Sequence, residues 1–289
     1  MLPEDVATAP EGFAEISPLS PFISFVGPIF VRCGDDLFEA TFRVEPRHRN
    51  VFGHAHGGMM MTFADIMLGN AAKRALGDRP AVTLNLSTIF IRPLKVGDWV
   101  KGRATARPAG PGLAYACGQI ESPDGLALTV EGMFKAVEAR DLPRGTSPPE
   151  AAVVHPDFKV AHVNPFTDDV GPFYRRFEND DMLIGLRIEP RHANRHGLAH
   201  GGVLMTFADA LIGRTARRKA VYGSVTLRMV GNFIAAPRVG DWVEGRCRIT
   251  RIDGPLIYLT GTATSRDRLL LAANAVFSMV EERKFPRVA

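Results

Sequence analysis

Hydrophobic and polar positions along the chain predict one long helix in each half. From Gly57 to about Leu76 the segment is helix-length, contains no proline and shows no sustained period of two. The same pattern runs from Gly201 to about Ala220. Both segments are apolar nearly all round in their first half, so we expect helices that are buried on most sides. A Gly-Asp-Arg-Pro turn ends the first of them.

Strand-like segments follow each predicted helix and are separated by short turns such as Pro-Asp-Gly at 123–125. Short turns favour pairing as an antiparallel meander. In the first half the predicted strands are Ala81–Ile91, Trp99–Arg107, Leu113–Glu121 and Leu126–Glu138. In the second half they are Ser224–Ile234, Trp242–Arg251, Ile257–Ser265 and Leu269–Glu281. We therefore predict an α+β fold, a buried helix wrapped by a curved antiparallel sheet, built twice.

The chain contains an internal repeat. Residues 44–65 and 188–209 are identical at 15 of 22 positions, with an offset of 144 residues. The sequence Val-Gly-Asp-Trp-Val at 96–100 occurs again at 239–243. Two copies of one module predict a covalent pseudo-dimer whose halves are related by an approximate two-fold axis. We place the domains at 19–140 and 163–286, with a proline-rich linker at 141–162 that runs extended over the surface.

Composition excludes several classes of protein. The chain of 289 residues is 46% hydrophobic and 23% charged, which is typical of a globular protein and not of a disordered one. The 35 basic residues exceed the 31 acidic ones only slightly and are spread out, so no nucleic-acid partner is expected. Three widely spaced cysteines argue against a disulfide framework. Since neither a signal peptide nor a membrane span is visible, we expect a cytoplasmic protein.

A carboxylate interrupts the apolar part of each predicted helix. Asp65 and Asp209 lie in the segments TFADIML and TFADALI. Burial of an unpaired carboxylate is costly, so each must be paired, protonated or solvated in a site. A structural aspartate that bonds a backbone amide or an arginine is the alternative to a functional one.

A second motif, Asn-x2-Gly-x2-His-Gly-Gly, precedes each helix at 50–58 and 194–202. Paired glycines at a helix start leave the first amides unobstructed and without intrahelical acceptors. Together with the helix dipole they form a site for an anion or a developing oxyanion. Ordinary loop-to-helix turn chemistry is the alternative for the glycines, and a histidine that fixes the loop is the alternative for His56 and His200.

Helix geometry relates the two motifs. Gly57 and Asp65 are about 12 Å apart along the axis at 1.5 Å per residue, so they cannot act on one carbonyl within a copy. If the two helices pack antiparallel, Asp209 approaches the Gly57 amide and Asp65 approaches Gly201. This arrangement predicts two composite sites, each built from both copies.

The full spacing Asn-x2-Gly-x2-His-Gly-Gly-x6-Asp, followed by a strand with Val-Thr-Leu, resembles the hotdog-fold acyl-CoA thioesterases of the phenylacetyl-CoA (PaaI-like) type. The resemblance covers almost all of each copy, so the chain looks like a double-hotdog thioesterase. It implies tandem hotdog folds, hydrolysis of an acyl-CoA thioester at the interface between two hotdogs, and no cofactor. It is also compatible with a homodimer, which would be a pseudo-tetramer of hotdogs.

The resemblance also assigns the main catalytic roles. Gly57 and Gly201 would each supply the backbone amide that polarises the thioester carbonyl. Asp65 and Asp209 would act from the opposite copy, as a general base on water or as a nucleophile.

Other residues match positions with supporting roles. Asn50 and Asn194 would orient the carbonyl or the attacking water, and Thr83 and Thr226 would assist that water. Thr is also an ordinary strand residue, so this assignment has a structural alternative. The expected substrate-binding residues are His56, His200, Gly58 and Gly202.

Two other functions compete with hydrolysis. One is an enoyl-thioester hydratase or dehydratase of the same fold, although neither His-Phe-Pro-Gly nor an Asp and a His five residues apart is visible. The other is a non-catalytic acyl-CoA sensor. No metal is expected, because the histidine spacing differs between the copies. The basic clusters at 73–74 and 217–219 are explained by the helix dipole or by coenzyme A phosphates.

Overall fold

The structure, a computed structural model, describes residues 9–16, 20–34, 37–138, 156–179, 181–220 and 223–280. Each copy is built around the predicted central helix. Helix α2 (Gly57–Ala75) ends within one residue of the expected end, whereas α4 (Gly201–Arg217) ends three residues before Ala220. A run of three cations at 217–219 occupies the expected last turn of α4. Two short helices were not predicted, α1 (Pro21–Val26) and α3 (Pro165–Val170), and each begins with proline at its first turn.

The strands confirm the predicted segments and add others before each central helix. In the first copy they are β1 (Ala14–Glu15), β2 (Phe30–Cys33), β3 (Phe38–Arg43), β4 (Ala81–Phe90), β5 (Trp99–Gly110), β6 (Leu113–Ser122) and β7 (Gly125–Ala136). In the second copy they are β8 (Lys159–Val160), β9 (Phe173–Glu178), β10 (Asp181–Arg187), β11 (Ser224–Phe233), β12 (Trp242–Asp253), β13 (Leu256–Ser265) and β14 (Arg268–Met279). Every predicted strand is present, with ends that differ by at most three residues.

Strand order corrects the predicted meander. The order is β1-β2-β3-β5-β6-β7-β4 in the first copy, so β4 pairs with β7 and not with its sequence neighbour β5. Only β5, β6 and β7 form a meander. The connection 91–98 between β4 and β5 is longer than a tight hairpin turn and lets the chain cross the sheet. The second copy repeats the order in mirror sequence.

The two copies share one sheet. Strands β4 and β11 pair antiparallel, with Leu86 opposite Gly231 and Thr88 opposite Met229. This pairing joins the strands of the described residues into a 14-stranded sheet, which wraps both central helices. The tandem hotdog fold is therefore confirmed. The domain boundaries stay predictions, because residues 141–155 of the expected linker lie outside the described ranges, although β8 falls inside its C-terminal part.

Helices α2 and α4 cross closely and antiparallel. A Cβ added to Gly58 would lie 2.8 Å from the Cα of Thr206, and a Cβ added to Gly202 would lie 2.5 Å from the Oγ1 of Thr62. Because 58 faces 206 while 62 faces 202, the helices run in opposite directions. Glycine at the second helical position thus allows this approach, and it brings the start of each helix to the middle of the other.

Two further predictions from the sequence concern membrane spans and cysteines. Among the described residues, no helix has the length and apolar character that a membrane crossing requires. The three cysteines are free thiols, and Cys247 is the buried one. Burial raises the pKa of its thiol to about 11.

Candidate active site

The loop before each central helix is folded by its asparagine. The Oδ1 of Asn50 accepts hydrogen bonds from the amides of Phe52 at 2.8 Å and His54 at 3.2 Å. Gly53 adopts φ of 81° within this turn, a conformation that favours glycine. The side-chain oxygen of Asn50 is therefore used within the loop, and only its side-chain NH2 group can bind a substrate. Asn194 folds the second loop in the same way, through the amides of residues 196 and 198.

Each loop ends in a histidine that caps the helix. His56 Nδ1 accepts the Gly58 amide at 3.0 Å, and His200 Nδ1 accepts the Gly202 amide at 3.0 Å. Since Nδ1 accepts, the neutral ring carries its proton on Nε2. Burial lowers the pKa of both histidines, against the opposing effect of the aspartate that faces each of them. Both histidines are therefore neutral helix caps. This matches the structural alternative given for them above, a histidine that fixes the loop.

Each cap also contacts a short helix of the other copy. The ring of His56 lies 5.4 Å from the ring of Phe166 on α3, measured between centroids. The ring of His200 lies 5.5 Å from that of Phe22 on α1. The helices α1 and α3, which sequence reasoning missed, thus hold the loops in place across the pseudo-two-fold axis.

The two aspartates reach across to the opposite helix start. Asp209 Oδ2 accepts a hydrogen bond from the Gly58 amide at 3.0 Å and lies 3.2 Å from His56 Nδ1. Because His56 is neutral and its Nδ1 is an acceptor, His56 Nδ1 and Asp209 Oδ2 both accept a hydrogen bond from the Gly58 amide. The two residues therefore do not form an ion pair. A Cβ added to Gly57 would lie 2.7 Å from Asp209 Oδ2. The amide that touches the carboxylate is thus that of Gly58, while Gly57 provides the open space beside it.

The reciprocal site has a looser arrangement. Asp65 Oδ2 lies 3.6 Å from His200 Nδ1, and a Cβ added to Gly201 would lie 2.5 Å from the same oxygen. Both aspartates are buried, with exposed fractions of 6% for Asp65 and 7% for Asp209. The structure brings together the residues that the sequence argument paired across the two copies.

A threonine of the same copy holds each carboxylate from the other side. Thr83 Oγ1 donates to Asp65 Oδ1 at 2.7 Å, and Thr226 Oγ1 donates to Asp209 Oδ1 at 3.2 Å. Strand β4 has a register shift between Thr83 and Asn85, and β11 has one after Thr226. A β-bulge re-aims the side chains next to it. We attribute the inward direction of both threonines to these bulges.

A cavity opens beside each carboxylate. We name the site with Asp209 and the first loop site A, and the site with Asp65 and the second loop site B. The cavity of site A has a volume of about 300 Å³ and that of site B about 700 Å³. Four of the predicted residues line each cavity besides the histidine: Asn50, Gly57, Asp209 and Thr226 in site A, and Asn194, Gly201, Asp65 and Thr83 in site B. Gly58 and Gly202 lie behind the walls, at the helix crossing.

The cavity of site A also contains residues that sequence reasoning did not select. Arg214 lines it together with Arg217, and both lie on α4. The repeat gives no signal for Arg214, because its counterpart in the first copy is Asn70. In site B the corresponding wall includes Asn70 and Lys73. The two sites thus share their aspartate, glycine and threonine, but Arg214 of site A has Asn70 as its counterpart in site B.

This arrangement can support chemistry on a carbonyl. The first-turn amides of a helix have no intrahelical acceptor, so they can donate to a developing oxyanion. A buried carboxylate beside them can accept a proton from water. Within the described ranges, no group of three or more His, Cys, Asp or Glu side chains is arranged to hold a metal ion.

Sequence comparison places this fold and site in a class of thioester hydrolases. A model of the thioesterase superfamily matches residues 52–126 and 196–272, which together are more than half of the chain. The chain belongs to the thioesterase superfamily. A Pseudomonas aeruginosa protein that is named as an esterase is 32% identical over 119 residues, which are 40% of this chain and 89% of that protein.

Solved structures show the same tandem fold. A thioesterase II from Thermobifida fusca matches with a TM-score of 0.67 and 14% identity, over 93% of this chain and 100% of that one. The tesB protein of Mycobacterium avium subsp. paratuberculosis matches with a TM-score of 0.63 and 16% identity, over 92% of this chain and 100% of that one. The acyl-CoA thioesterase II TesB2 of Mycobacterium marinum matches with a TM-score of 0.61 and 10% identity, over 91% and 100%. At such identities the likeness establishes the fold alone.

Proposed function

We propose that this protein hydrolyses acyl-CoA thioesters at sites A and B. The single observation that supports the proposal most is the position of Asp209, which lies 3.0 Å from the Gly58 amide of the opposite copy, beside an open cavity. A buried carboxylate at a helix start is what water activation next to a polarised carbonyl requires. The name of one solved relative, an acyl-CoA thioesterase, supports coenzyme A as the thiol carrier, while two others are named as acyl-ACP thioesterases.

In site A the reaction would use the residues as follows. The thioester carbonyl lies at the start of α2 and accepts a hydrogen bond from the Gly57 amide. Asp209 takes a proton from water as the water oxygen attacks the carbonyl carbon, and the negative charge moves to the carbonyl oxygen. Collapse of this intermediate breaks the carbon–sulfur bond, and the thiolate leaves and recovers the proton from Asp209. The products are the free acid and the thiol, and the carboxylate is regenerated.

The supporting residues would fix this geometry. Thr226 holds one oxygen of Asp209, so that the other oxygen faces the helix start. Asn50 keeps the loop in shape and presents its amide group to the carbonyl side of the cavity. In site B the same roles fall to Asp65, Gly201 and the matching residues Thr83 and Asn194. A direct nucleophilic attack by the aspartate, through a mixed anhydride, is the alternative for the same residues.

The test is release of free thiol from short, long and aromatic acyl-CoAs. Asp65→Asn and Asp209→Asn remove the base of one site each without changing the volume of the side chain. We expect each single variant to lose the turnover of one site, and the double variant to lose about 10²- to 10⁴-fold of the total rate. Asp253→Asn, at an aspartate exposed on the surface, is the matched control.

Three results would contradict parts of this proposal. A double variant with the wild-type rate would remove the aspartates from the mechanism. Binding of acyl-CoA without thiol release by the wild-type protein would favour the sensor function. Conversion of an enoyl-CoA with the thioester left intact would favour a hydratase.

A further inference from the structure

The two sites differ at one half-buried position on the central helix. Arg214 lies five residues after Asp209 on α4, and the offset of 144 residues makes Asn70 on α2 its counterpart. Arg214 lines the cavity of site A, and Asn70 lines the cavity of site B. The sites are therefore alike in their reacting groups and differ at this position, although three Lys or Arg residues line each cavity: Arg92, Arg214 and Arg217 in site A, and Lys73, Lys135 and Arg195 in site B.

Arg214 is half-buried, and part of its guanidinium has no hydrogen-bond partner among the described residues. Its Nη2 donates to the carbonyl of Ala161 at 3.0 Å, while its Nη1 is buried and has no hydrogen-bond partner in the described part of the chain. Burial, with a contribution from the nearby Arg175 and Arg217, lowers the pKa of Arg214 to about 10, against the opposing effect of Asp168.

Asp168 does not form an ion pair with Arg214, and neither does any other carboxylate of the described ranges. A half-buried cation with a buried, unused donor is costly to fold, unless a ligand supplies the missing anion. Because this cation lies in the wall of a proposed substrate cavity, a substrate is the natural source of that anion.

We propose that site A favours acyl thioesters whose acyl group ends in a carboxylate, with Arg214 as the residue that binds this carboxylate, whereas site B, with Asn70 at the equivalent position, lacks this preference. The inference rests on the proposed function and adds a substrate class to it. A charged side chain that pairs with a substrate carboxylate discriminates strongly against a substrate that lacks it, because the buried charge is then left unpaired.

Distance favours the acyl group over the carrier as the source of the anion. Arg214 lies about 7.5 Å along the helix axis from Asp209, at 1.5 Å per residue. The phosphates of coenzyme A are separated from the reacting sulfur by the whole pantetheine arm, whereas a short dicarboxylic acyl group ends within this span. Arg217 lies about 12 Å along the axis and is exposed, so it is the better position for the phosphates.

The experiment compares glutaryl-CoA with valeryl-CoA, which share a chain length and differ in the terminal carboxylate. Asp65→Asn leaves site A active, and Asp209→Asn leaves site B active. We expect the Asp65→Asn enzyme to have the higher ratio of kcat/KM for glutaryl over valeryl substrate. Adding Arg214→Asn lowers this ratio about 10- to 100-fold, the range for a hydrogen bond to a charged group, and Arg214→Lys lowers it less.

Asn70→Arg, in the Asp209→Asn background, is the reciprocal variant. It places in site B the cation that site A has at the equivalent position, and we expect the ratio of glutaryl to valeryl turnover to rise. A rise in this ratio cannot come from a general loss of structure. The Asn70→Arg variant therefore tests the proposal even if the Arg214→Asn variant does not fold.

The same acyl groups carried on N-acetylcysteamine separate the two sources of the anion. These thioesters have no phosphate, so a preference for the glutaryl group persists if Arg214 binds the acyl carboxylate. An Arg214→Asn variant that loses activity equally toward both CoA thioesters, but not toward the N-acetylcysteamine thioesters, would assign Arg214 to the phosphates and overturn the proposal. An unchanged ratio in both reciprocal variants would also overturn it and leave the proposed hydrolysis intact. Absence of thiol release from every thioester would instead reject the proposed function, and this inference with it.

Discussion

Asp209 of the second copy accepts a hydrogen bond from the amide of Gly58 in the first copy, at 3.0 Å. The contact joins the middle of one central helix to the first turn of the other. The two adjacent glycines at this contact, Gly57 and Gly58, face different residues of the second copy. A Cβ on Gly57 would meet the Asp209 carboxylate, whereas a Cβ on Gly58 would meet the backbone of Thr206. Substitution of the two glycines is therefore expected to have separable effects.

We predict that Gly57→Ala inactivates site A and leaves the fold intact. The added Cβ would lie 2.7 Å from Asp209 Oδ2, so the carboxylate must move away from the position that faces the carbonyl. Alanine favours a helix over glycine by about 1 kcal/mol, so the midpoint of thermal unfolding is not expected to fall. In the Asp65→Asn background, where only site A works, we expect kcat to fall by at least about 10²-fold, the effect of losing a positioned base.

Gly69→Ala in the same background is the matched control. Gly69 lies within α2, and an added Cβ would meet the ring of Phe134 at 3.6 Å, an ordinary contact distance. It lines the cavity of site B and not that of site A. Equal losses of kcat in the two variants would show that the effect of Gly57→Ala comes from the helix and not from Asp209.

Gly58→Ala is expected to destabilise the protein. Its Cβ would lie 2.8 Å from the Cα of Thr206, and backbone cannot move aside as the end of a side chain can. Overpacking of this kind costs about 1–3 kcal/mol. Urea unfolding of Gly57→Ala and Gly58→Ala measures both free energies of unfolding. A Gly58→Ala variant as stable as the wild type would mean that the helices separate without cost.

Thr226→Val tests the hydroxyl that holds Asp209. The substitution keeps the β-branched shape of a strand residue and removes the donor that binds Oδ1 at 3.2 Å. In the Asp65→Asn background we expect kcat to fall about 10-fold, because a hydrogen bond to a charged group is worth about 1.5–3 kcal/mol. Thr226→Ser restores the donor and is expected to restore most of the rate. A serine variant as slow as the valine variant would assign Thr226 to strand packing.

The sequence predicted the local elements of the fold correctly, but it predicted only part of their arrangement. The central helices and eight of the strands follow from local periodicity, and the juxtaposition of Asp209 with the start of α2 follows from helical rise and the repeat. The place of β4 beside β7 does not follow, because strand pairing depends on where a long connection crosses the sheet. The short helix α3 was missed because six residues carry too little periodicity for recognition.

The site was predictable where the residues repeat and unpredictable where they do not. Asn50 and His56 were selected from the sequence and line the cavity of site A, but their main contacts are within the loop, which spacing alone does not show. Arg214 was missed because its counterpart is Asn70, so the repeat gave no signal there. The burial of its guanidinium depends on Ala161 and on the other elements packed against α4, which only the folded structure brings together.

Stability is expected to fall as the pH drops below about 6.5, because burial lowers the pKa of several histidines, which include His56 and His200 as well as His48 and His192. His48 and His192 lie in the 3₁₀ turns before the two loops, and burial lowers the pKa of His48 to about 3 and that of His192 to about 4. The Nδ1 of His192 accepts the Glu189 amide at 3.0 Å, while its other ring nitrogen lies 2.7 Å from the Val170 carbonyl. Protonation would place an N–H against the Glu189 amide.

The sign of the effect follows from proton binding. Between pH 6.5 and about 4, His192 binds a proton in the unfolded chain but not in the native protein. The free energy of unfolding therefore decreases as the pH falls. The stabilising contribution is complete above pH 6.5 and is lost toward the native pKa, by about 1.4 kcal/mol per pH unit for each histidine. Urea unfolding at steps between pH 7.5 and 4.5 measures this slope. His192→Asn keeps an acceptor for the Glu189 amide but cannot titrate, so we expect a shallower slope than in the wild type. A variant with the wild-type slope would show that other groups cause the acid sensitivity.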